Sequence, residues 1–432
     1  MTILIAIIAL SFLIIVHEFG HFIAAKLSGI KVEEFSLFMG PKLFSIQLGE
    51  TMYSIRLIPI GGYVRMEGEE EYSENDRAFN KKPIPFRMAV IIAGPLMNLI
   101  VAVLLVTIIF SASGFSTTEI SSISTDSPAY SEGIREGDRI IRYNGKRVYH
   151  PSDYVLFSYV QSNDPVELEI KRGDETFSVT VTPKVMPAKS SYILGFTPKE
   201  SDGAESNVVA SVVSGTDAEK SGLKAGDRII GLNDTVISSR QDIAKFMETN
   251  KGAPVQVTVE RGGQKVTLEI TPVLQTTPET RTLGINGFKA SRGGLLENIK
   301  QSVIYNYSTA RSVYYSILFL VQGKVSATEL MGPVGIVTTI GDTVQMSPTF
   351  MDKLLNLFAI SSMISVNLGI MNLIPFPALD GSKLVILIIE AIRRKALPPE
   401  KEAMISMVGL VLLLLLMIFA TSNDIARMLG AG

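Results

Sequence analysis

The sequence of 432 residues contains no cysteine and only three histidines. The absence of cysteine excludes disulfide bonds, thiolate metal sites and thiol catalysis, and it leaves the redox compartment open. Lysine and arginine number 40 against 42 aspartate and glutamate residues, so the net charge is −2. That balance lacks the basic excess typical of nucleic-acid binding, and we predict no nucleic-acid partner.

Apolar residues are abundant: 47% of the chain is hydrophobic and the mean hydropathy is +0.31. Four long apolar runs are typical of a membrane protein embedded in the lipid bilayer. No basic residue follows Met1 and no small-residue cleavage site follows the first run, so we interpret that run as a retained helix. The runs are Ile3–Ala25, Phe86–Phe110, Leu354–Ile392 and Met404–Ala420.

The third run is too long for one straight helix, because its residues at about 1.5 Å each would reach about 58 Å. Pro375 and Pro377 divide it, and the part after Leu379 is too short to cross alone. We therefore expect one crossing with an irregular middle, and four passages in all. Irregular backbone at membrane depth is tolerated where it is buried in protein or lines a cavity.

Basic residues predict the orientation of these passages. They cluster after the first and third passages, and none precedes Ile3. By the positive-inside rule both basic loops face the cytoplasm, both termini face outward, and the region Ser111–Thr349 lies outside. The clusters are Lys26, Lys31, Lys42, Arg56, Arg65, Lys81, Lys82 and Arg87, then Arg393, Arg394, Lys395 and Lys401.

A metal-binding pattern lies inside the first apolar run, where His17, Glu18 and His21 form a His-Glu-x-x-His motif. Residues four apart share a helix face, so the two imidazoles can bind one metal ion. Glu18 can then reach a metal-bound water and accept its proton. A pair of core histidines in a soluble amphipathic helix is the alternative. The surrounding isoleucine, leucine, alanine and phenylalanine residues leave no polar face for such a helix.

A catalytic zinc ion usually takes three protein ligands and one water. The third ligand cannot be cysteine, and His150 lies outside the apolar runs, which leaves a carboxylate at membrane depth. Asp380 follows the proline break, whereas Glu390 lies near the basic end of its run. Counted back from the basic residues that follow them, His17 and Asp380 both lie within the membrane toward its inner side. Capping of the second half-helix is the alternative role for Asp380, and the two roles can coexist.

The middle of the chain contains an ungapped repeat. The segment Gly133–Asp138 recurs 89 residues later as Gly222–Asp227, and Arg172 recurs as Arg261 at the same offset. Such a repeat predicts two copies of one small domain, and the alternating runs between the signatures predict strands.

This repeat resembles PDZ domains, particularly those of bacterial membrane-associated proteases. In that family an apolar-Gly-apolar loop binds the C-terminal carboxylate of a peptide, which adds to the sheet as an edge strand. The matching triplets come at the end of each repeat, which implies a circularly permuted version. Peptide capture and a spacer or steric gate that binds no peptide both stay open. The triplets are Leu194, Gly195 and Phe196, then Leu283, Gly284 and Ile285.

The His-Glu-x-x-His motif, the segment Asn372–Gly381 (Asn-x-x-Pro-x-Pro-x-Leu-Asp-Gly) and the intervening PDZ-type repeats together resemble the site-2 protease family. Within it, the two repeats and four passages are similar to bacterial regulator-of-sigma proteases, over nearly the whole chain. The resemblance implies that His17, His21 and Asp380 hold one zinc ion per chain and that Glu18 activates water. It also implies a set of residues that shape or bind unwound substrate: Asn367, Asn372, Pro375 and Pro377.

The predicted fold is a polytopic α-helical membrane protein with four transmembrane passages, a membrane-associated β region and two extracytoplasmic, circularly permuted PDZ domains. Val32–Met66 alternates apolar and polar residues and predicts three or four strands, which the resemblance places beside the active site. Leu295–Val321 has amphipathic helical spacing, typical of a surface helix or of helices packing on each other. The predicted segments are 1–27, 28–85, 86–111, 112–200 (first PDZ), 201–288 (second PDZ), 289–350, 351–393 and 394–432.

We predict a zinc-dependent intramembrane endopeptidase of the bacterial inner membrane. The resemblance implies substrates such as single-pass anti-sigma factors already trimmed by another protease, and signal-peptide remnants. A membrane PDZ scaffold with a vestigial metal site and a metal transporter are the rival hypotheses. The full set of ligands with Glu18 argues against the scaffold, and the convergence of polar residues on one site argues against the transporter. The oligomeric state stays open.

Overall fold

The computed structural model describes residues 2–69, 71–199, 206–213, 215–277, 279–347 and 349–428. The chain forms two compact units: Met1–Val181 with Gly284–Gly432, and Thr182–Leu283. The helices of the first unit are α1 (Thr2–Leu27), α2 (Ile84–Ser113), α3 (Pro128–Ser131), α4 (Pro151–Tyr159), α7 (Leu295–Val321), α8 (Pro333–Met346), α9 (Phe350–Leu373), α10 (Asp380–Arg393) and α11 (Pro399–Met428). Those of the second unit are α5 (Asp217–Lys220) and α6 (Arg240–Asn250).

Four helices within the described residues are long and apolar enough to cross a membrane, which confirms the predicted number of passages. The third passage differs from the prediction in extent, because α9 ends at Leu373 and the chain is irregular until α10 begins at Asp380. The residue before a proline is disfavoured in the helical region, and Ile374 has an extended backbone before Pro375. The four spans are Leu4–Leu27, Ile84–Ser113, Phe350–Leu373 and Glu400–Arg427.

Small residues let the helices around α2 approach closely. A side chain on Gly20 of α1 would meet the backbone oxygen of Ala93 at 2.3 Å, and one on Gly369 of α9 would meet that of Pro95 at 3.0 Å. Association of helices in lipid depends on such close packing, because apolar surface gains little there from leaving water. These contacts place α1 and α9 directly against α2.

The predicted β region is one sheet made from two long, bent strands, β1 (Val32–Leu48) and β2 (Thr51–Met66). Residues 32–37 of β1 pair on one side with residues 62–66 and on the other with residues 52–55. Each strand therefore contributes two segments, so the prediction of three or four strands corresponds to four pairing segments. The part of the sheet that spans residues 43–48 and 55–60 carries exposed apolar side chains: Leu43, Phe44, Ile46, Leu48, Ile55, Leu57, Ile58 and Ile60.

The predicted PDZ segments 112–200 and 201–288 differ from the observed strand pairing, because some strands pair across the predicted boundary. Ile285–Ser291 follows the second repeat in the sequence, yet it pairs with Phe115–Ile123 at the start of the first. Conversely, Phe196–Pro198 pairs with Val209–Val212 of the second repeat. The strand after each apolar-Gly-apolar triplet thus pairs with the other copy. Since the two copies are alike in sequence, a constant offset does not distinguish pairing within a repeat from pairing across repeats. The predicted boundary at 200 and 201 lies outside the described residues.

The strands of the first unit beyond β2 are β3 (Phe115–Ile123), β4 (Arg139–Tyr143), β5 (Lys146–Arg147), β6 (Val166–Arg172), β7 (Glu175–Val181) and β18 (Ile285–Ser291). Their order in the sheet is β18-β3-β4-β6-β7, with β5 paired to β4. The strands of the second unit are β8 (Lys184–Met186), β9 (Lys189–Ile193), β10 (Phe196–Pro198), β11 (Val209–Val212), β12 (Arg228–Leu232), β13 (Thr235–Val236), β14 (Val255–Arg261), β15 (Gln264–Ile270), β16 (Val273–Thr277) and β17 (Thr280–Thr282).

The repeat signature encodes the same ion pair in both units. Asp138 is buried and binds the Arg172 guanidinium through Oδ1 at 2.7 Å. Asp227 binds Arg261 in the same way at 2.7 Å, and this partner lowers the pKa of the Asp227 carboxyl. The Gly-x-x-x-Gly-Asp pattern therefore marks a buried carboxylate that joins its turn to a strand 34 residues later.

Each apolar-Gly-apolar triplet leads from a buried leucine into a strand. Leu194 and Leu283 are buried, and Phe196 and Ile285 begin strands β10 and β18. Gly195 and Gly284 have φ of +81° and +84°, a left-handed conformation that favours glycine.

Candidate metal centre

Three donor atoms from two distant parts of the chain converge inside the helical bundle. His17 Nε2 lies 3.0 Å and His21 Nε2 lies 3.4 Å from Asp380 Oδ2. The two Nε2 atoms are 3.1 Å apart, and the imidazole rings meet edge to face. Both histidines are buried and Asp380 is half-buried. Within the described residues these three form the group of possible metal ligands whose donor atoms lie within 4.8 Å of one another.

These donor atoms fit zinc. Bonds of about 2.0–2.1 Å in a tetrahedral site place the ligand atoms about 3.3 Å apart, which is close to the three separations found here. Two neutral imidazoles and one carboxylate are a ligand set that zinc accepts, and three protein ligands leave one position for water or substrate. The residues present therefore suit a catalytic rather than a closed structural site.

Local sequence explains why these residues meet. His17 and His21 are one turn apart on α1 and share a face. Asp380 is the first residue of α10, directly after the proline break, so the break turns the chain back and delivers the carboxylate to α1. Ala378 in this break has φ of +73°, an uncommon conformation for a residue with a side chain.

The carboxylate of Glu18 lies beside the ligands but contacts the sheet. Glu18 Oε2 accepts a hydrogen bond from the backbone N–H of Val64 at 3.1 Å. Val64 belongs to the 62–66 segment at the edge of the sheet, which pairs with β1 on one side and faces α1 on the other. The sheet therefore holds the glutamate of the His-Glu-x-x-His motif in place.

Helix α2 lines the other side of the ligands. His21 Nδ1 lies 2.8 Å from the backbone oxygen of Val90, and His17 Nδ1 lies 3.2 Å from the side-chain nitrogen of Asn98. A side chain on Gly94 would stand 2.3 Å from His21 Nε2, so glycine leaves the space that the imidazoles occupy. Asn98 was not predicted as a site residue, although an amide side chain within the apolar run Phe86–Phe110 could have indicated one.

The residues predicted to shape substrate lie around the break. Asn367 and Asn372 are half-buried on α9, Pro375 is exposed, and Pro377 is half-buried in the irregular segment. The backbone of Pro377 packs against α11 at Gly409, where an added side chain would meet the Pro377 oxygen at 2.2 Å. The structure thus places all four residues either in the last two turns of α9 or in the irregular connection between α9 and Asp380.

Ion pairs hold α10 in position around Asp380. Lys383 Nζ binds Glu69 Oε1 at 2.8 Å, which joins α10 to the loop after β2. Arg87 of α2 binds Glu390 near the end of α10, with Nη1 at 3.2 Å from Oε2. Glu390, the alternative acid considered from the sequence, is therefore engaged by Arg87 rather than by the histidines.

His150 lies in the first PDZ-type sheet region, apart from this cluster. Its ring accepts a hydrogen bond from the backbone N–H of Ser152 and so caps α4. Burial lowers the pKa of His150 to about 4. The third histidine of the chain is therefore a neutral helix cap.

The chain is similar to proteins named as proteases over nearly its whole length. Zinc metalloprotease RasP of Geobacillus kaustophilus is 28% identical, over 96% of this chain and 95% of that protein. Regulator of sigma E protease of Haemophilus influenzae is 30% identical, over 98% of both chains. Among solved structures, the HtrA3 PDZ domain bound to a phage-derived ligand matches 21% of this chain and 91% of that chain, with 15% identity and a TM-score of 0.18. The family model for peptidase family M50 matches residues 5–416, and the chain therefore belongs to this family of site-2 type zinc metalloproteases.

Proposed function

We propose that this membrane protein is an intramembrane endopeptidase in which His17, His21 and Asp380 hold one zinc ion and Glu18 is the catalytic base. The observation that carries the assignment is the convergence of the three donor atoms at 3.0, 3.1 and 3.4 Å from one another. Family membership supports the reaction class, and the geometry supports the residue roles.

The chemistry divides between the ion and the protein. When bound, zinc polarises the scissile carbonyl and makes water more acidic. Glu18 accepts a proton from the attacking water and returns a proton to the leaving amine. His17, His21 and Asp380 fix the place of this reaction against α2, at a level where apolar helices surround the site and limit water.

Substrate must reach this site in an extended form, because a helix hides its peptide bonds in its own hydrogen bonds. The 62–66 edge segment faces α1 and offers backbone groups to which an extended peptide can add as a further strand. The exposed apolar end of the same sheet supports its placement in the membrane. Asn367, Asn372, Pro375 and Pro377 shape or bind the unwound substrate from the opposite side, next to Asp380.

The proposed setting is the inner membrane of a bacterium, with the PDZ-type units on the extracytoplasmic side. The distribution of basic residues supports this orientation. The proposed substrates are membrane proteins, including trimmed single-pass anti-sigma factors and signal-peptide remnants, as the family resemblance implies; one similar protein is named a regulator of sigma E protease. The triplets Leu194–Phe196 and Leu283–Ile285 are proposed as carboxylate-binding loops of these units.

The test pairs bound zinc with cleavage. Wild type, Glu18→Gln, Asp380→Ala and, as an acidic control on an exposed surface, Asp342→Asn are purified in detergent and assayed with a model transmembrane substrate. We expect Glu18→Gln to keep zinc and lose about 10²- to 10⁴-fold in rate. Asp380→Ala should lose both zinc and cleavage, and Asp342→Asn neither. Cleavage by Glu18→Gln at the normal rate would refute the mechanism, and a wild type without zinc or cleavage would favour the scaffold.

A further inference from the structure

Asn98 stands out among the residues around the metal centre because only half of its amide has a partner. It lies on α2, one turn after Gly94, and is fully buried. Its Nδ2 is 3.2 Å from Nδ1 of His17, while its Oδ1 is buried and makes no hydrogen bond within the described part of the chain. A buried amide in an apolar helix that is half satisfied has a cost, so its presence needs an explanation.

The protonation of His17 explains why a buried amide lies at this position. Its Nε2 points at His21 and Asp380, so Nε2 must offer its lone pair to a metal, and the ring proton then lies on Nδ1. An amide NH₂ group facing that Nδ1–H would set a donor against a donor. Rotation of the amide by 180° exchanges oxygen and nitrogen, which are assigned from the hydrogen-bond network. In either orientation of the amide, one of its two polar groups lacks a partner. The proton on His17 Nδ1 therefore determines which orientation is favoured.

We infer that Asn98 is a positioning residue of the metal centre, whose side-chain oxygen accepts the Nδ1 proton of His17 and thereby directs the Nε2 lone pair to the metal. This inference rests on the proposed zinc site. His21 has the equivalent support from the backbone oxygen of Val90 at 2.8 Å from its Nδ1. Both metal ligands of α1 are therefore oriented by acceptors on α2, which is the usual second contact of a zinc-bound histidine.

The position of Asn98 is itself fixed by α9. The hydroxyl of Ser365 donates to the backbone oxygen of Asn98 at 2.8 Å, and Gly369 packs against Pro95 one turn before it. This bond uses the backbone and not the side-chain amide. Ser365→Ala therefore perturbs the packing beside Asn98 and keeps the proposed acceptor, which makes it a matched control.

The first measurement is zinc affinity by competition with a chelator, in the full-length detergent-solubilised protein. Asn98→Leu keeps the size of the side chain and removes the acceptor, whereas Asn98→Asp keeps an acceptor. We expect Asn98→Leu to bind zinc about 10- to 100-fold more weakly than wild type. Asn98→Asp and Ser365→Ala should stay within a few-fold of wild type.

The second measurement reads the proposed hydrogen bond directly, by ¹⁵N NMR of histidine-labelled, zinc-loaded protein, in which the His17 proton lies on Nδ1. The chain has only three histidines, and His150→Asn assigns one of them. We expect the His17 Nδ1–H to exchange slowly with water in wild type and Ser365→Ala, and to exchange faster in Asn98→Leu because its acceptor is gone. An Asn98→Leu protein with wild-type zinc affinity and an unchanged His17 Nδ1–H exchange rate would overturn the inference alone. A wild type that binds no zinc would overturn the proposed function, and this inference with it.

Discussion

Glu18 Oε2 accepts a hydrogen bond from the backbone N–H of Val64 at 3.1 Å, so the proposed catalytic base on α1 is held by a strand edge. That edge is also where we propose that an extended substrate is added. The position of the base and the docking of substrate thus depend on the same short segment of β2.

Removal of the Val64 N–H should slow cleavage without loss of zinc. Glu18 uses this N–H, so a proline at position 64 removes the bond to the base and leaves the ladder with β1 in place. We expect Val64→Pro to lower kcat by about 10- to 100-fold, because the base is no longer positioned. Val64→Ala keeps the N–H and should cleave near the wild-type rate. Equal rates for the two variants would contradict this role of the sheet.

A methyl group at Gly94 should displace the metal ligands. It would stand 2.3 Å from His21 Nε2 and 2.9 Å from His17 Nε2, so both rings would have to move. We expect Gly94→Ala to lose bound zinc and cleavage while it still reaches the membrane. Leu96→Ala on an exposed face of the same helix is the control. Metal analysis after gel filtration measures the effect, and normal zinc content in Gly94→Ala would show that the centre is not packed this tightly.

The left-handed Ala378 makes the connection before Asp380 sensitive to side-chain shape. Glycine relieves strain of about 1 kcal/mol at φ of +73°, whereas a β-branched residue adds to it. We expect Ala378→Gly to bind zinc and cleave at least as well as wild type, and Ala378→Val to lose both. Cleavage assays on the two variants check this, and an active Ala378→Val would mean that Asp380 is positioned independently of the break.

The two repeated ion pairs should stabilise their own units separately. Arg172→Ala leaves the buried Asp138 carboxylate without its ion partner, and Arg261→Ala does the same to Asp227. We expect each to cost about 1–3 kcal/mol of local stability, at the lower end because the arginines are partly exposed. Hydrogen exchange should rise in β4 and β6 for the first variant, and in β12 and β14 for the second. Arg228→Ala, which removes an exposed pair with Glu260, is the control, and exchange that rises throughout the chain would contradict separate units.

His150 should make the first unit less stable in acid. Its folded pKa is lowered to about 4, below the ordinary value of 6.5, so the unfolded state binds more protons between these values. The stability that neutral His150 provides is therefore full above about pH 6.5 and is lost as the pH falls toward 4. His150→Asn keeps a capping side chain that does not titrate. Between pH 7.5 and pH 5 the melting temperature should fall less for this variant than for wild type. An equal fall would exclude His150 as the cause.

The convergence of the three candidate metal ligands could be predicted because local rules determine most of it. The spacing of His17 and His21 places both rings on one helix face, and the absence of cysteine together with the proline break directs attention to Asp380. The structure brings these three residues together. Asn98 could not be ranked in the same way, because its role depends on where α2 crosses α1.

The fold was harder to predict where the sequence is compatible with two arrangements and only tertiary contacts select one of them. The amphipathic helix Leu295–Val321 has the predicted bounds, yet it buries polar Asn298 and Ser302 and leaves apolar Leu296 and Val303 exposed. Its polar face packs toward α2, where Asn298 donates to the hydroxyl of Ser111. Sequence periodicity identifies two faces of a helix but does not say which one meets lipid.

The pairing of β3 with β18 means that the sheet of the first unit cannot be completed until the whole second unit has been synthesised. The second unit, Thr182–Leu283, is continuous and is complete before the ribosome has made β18. Until β18 emerges, β3 exposes an unpaired edge, the kind of surface on which nascent chains misassemble. A mutation that slows synthesis or folding of the second unit therefore prolongs the exposure of a sheet to which the described residues of that unit contribute no strand.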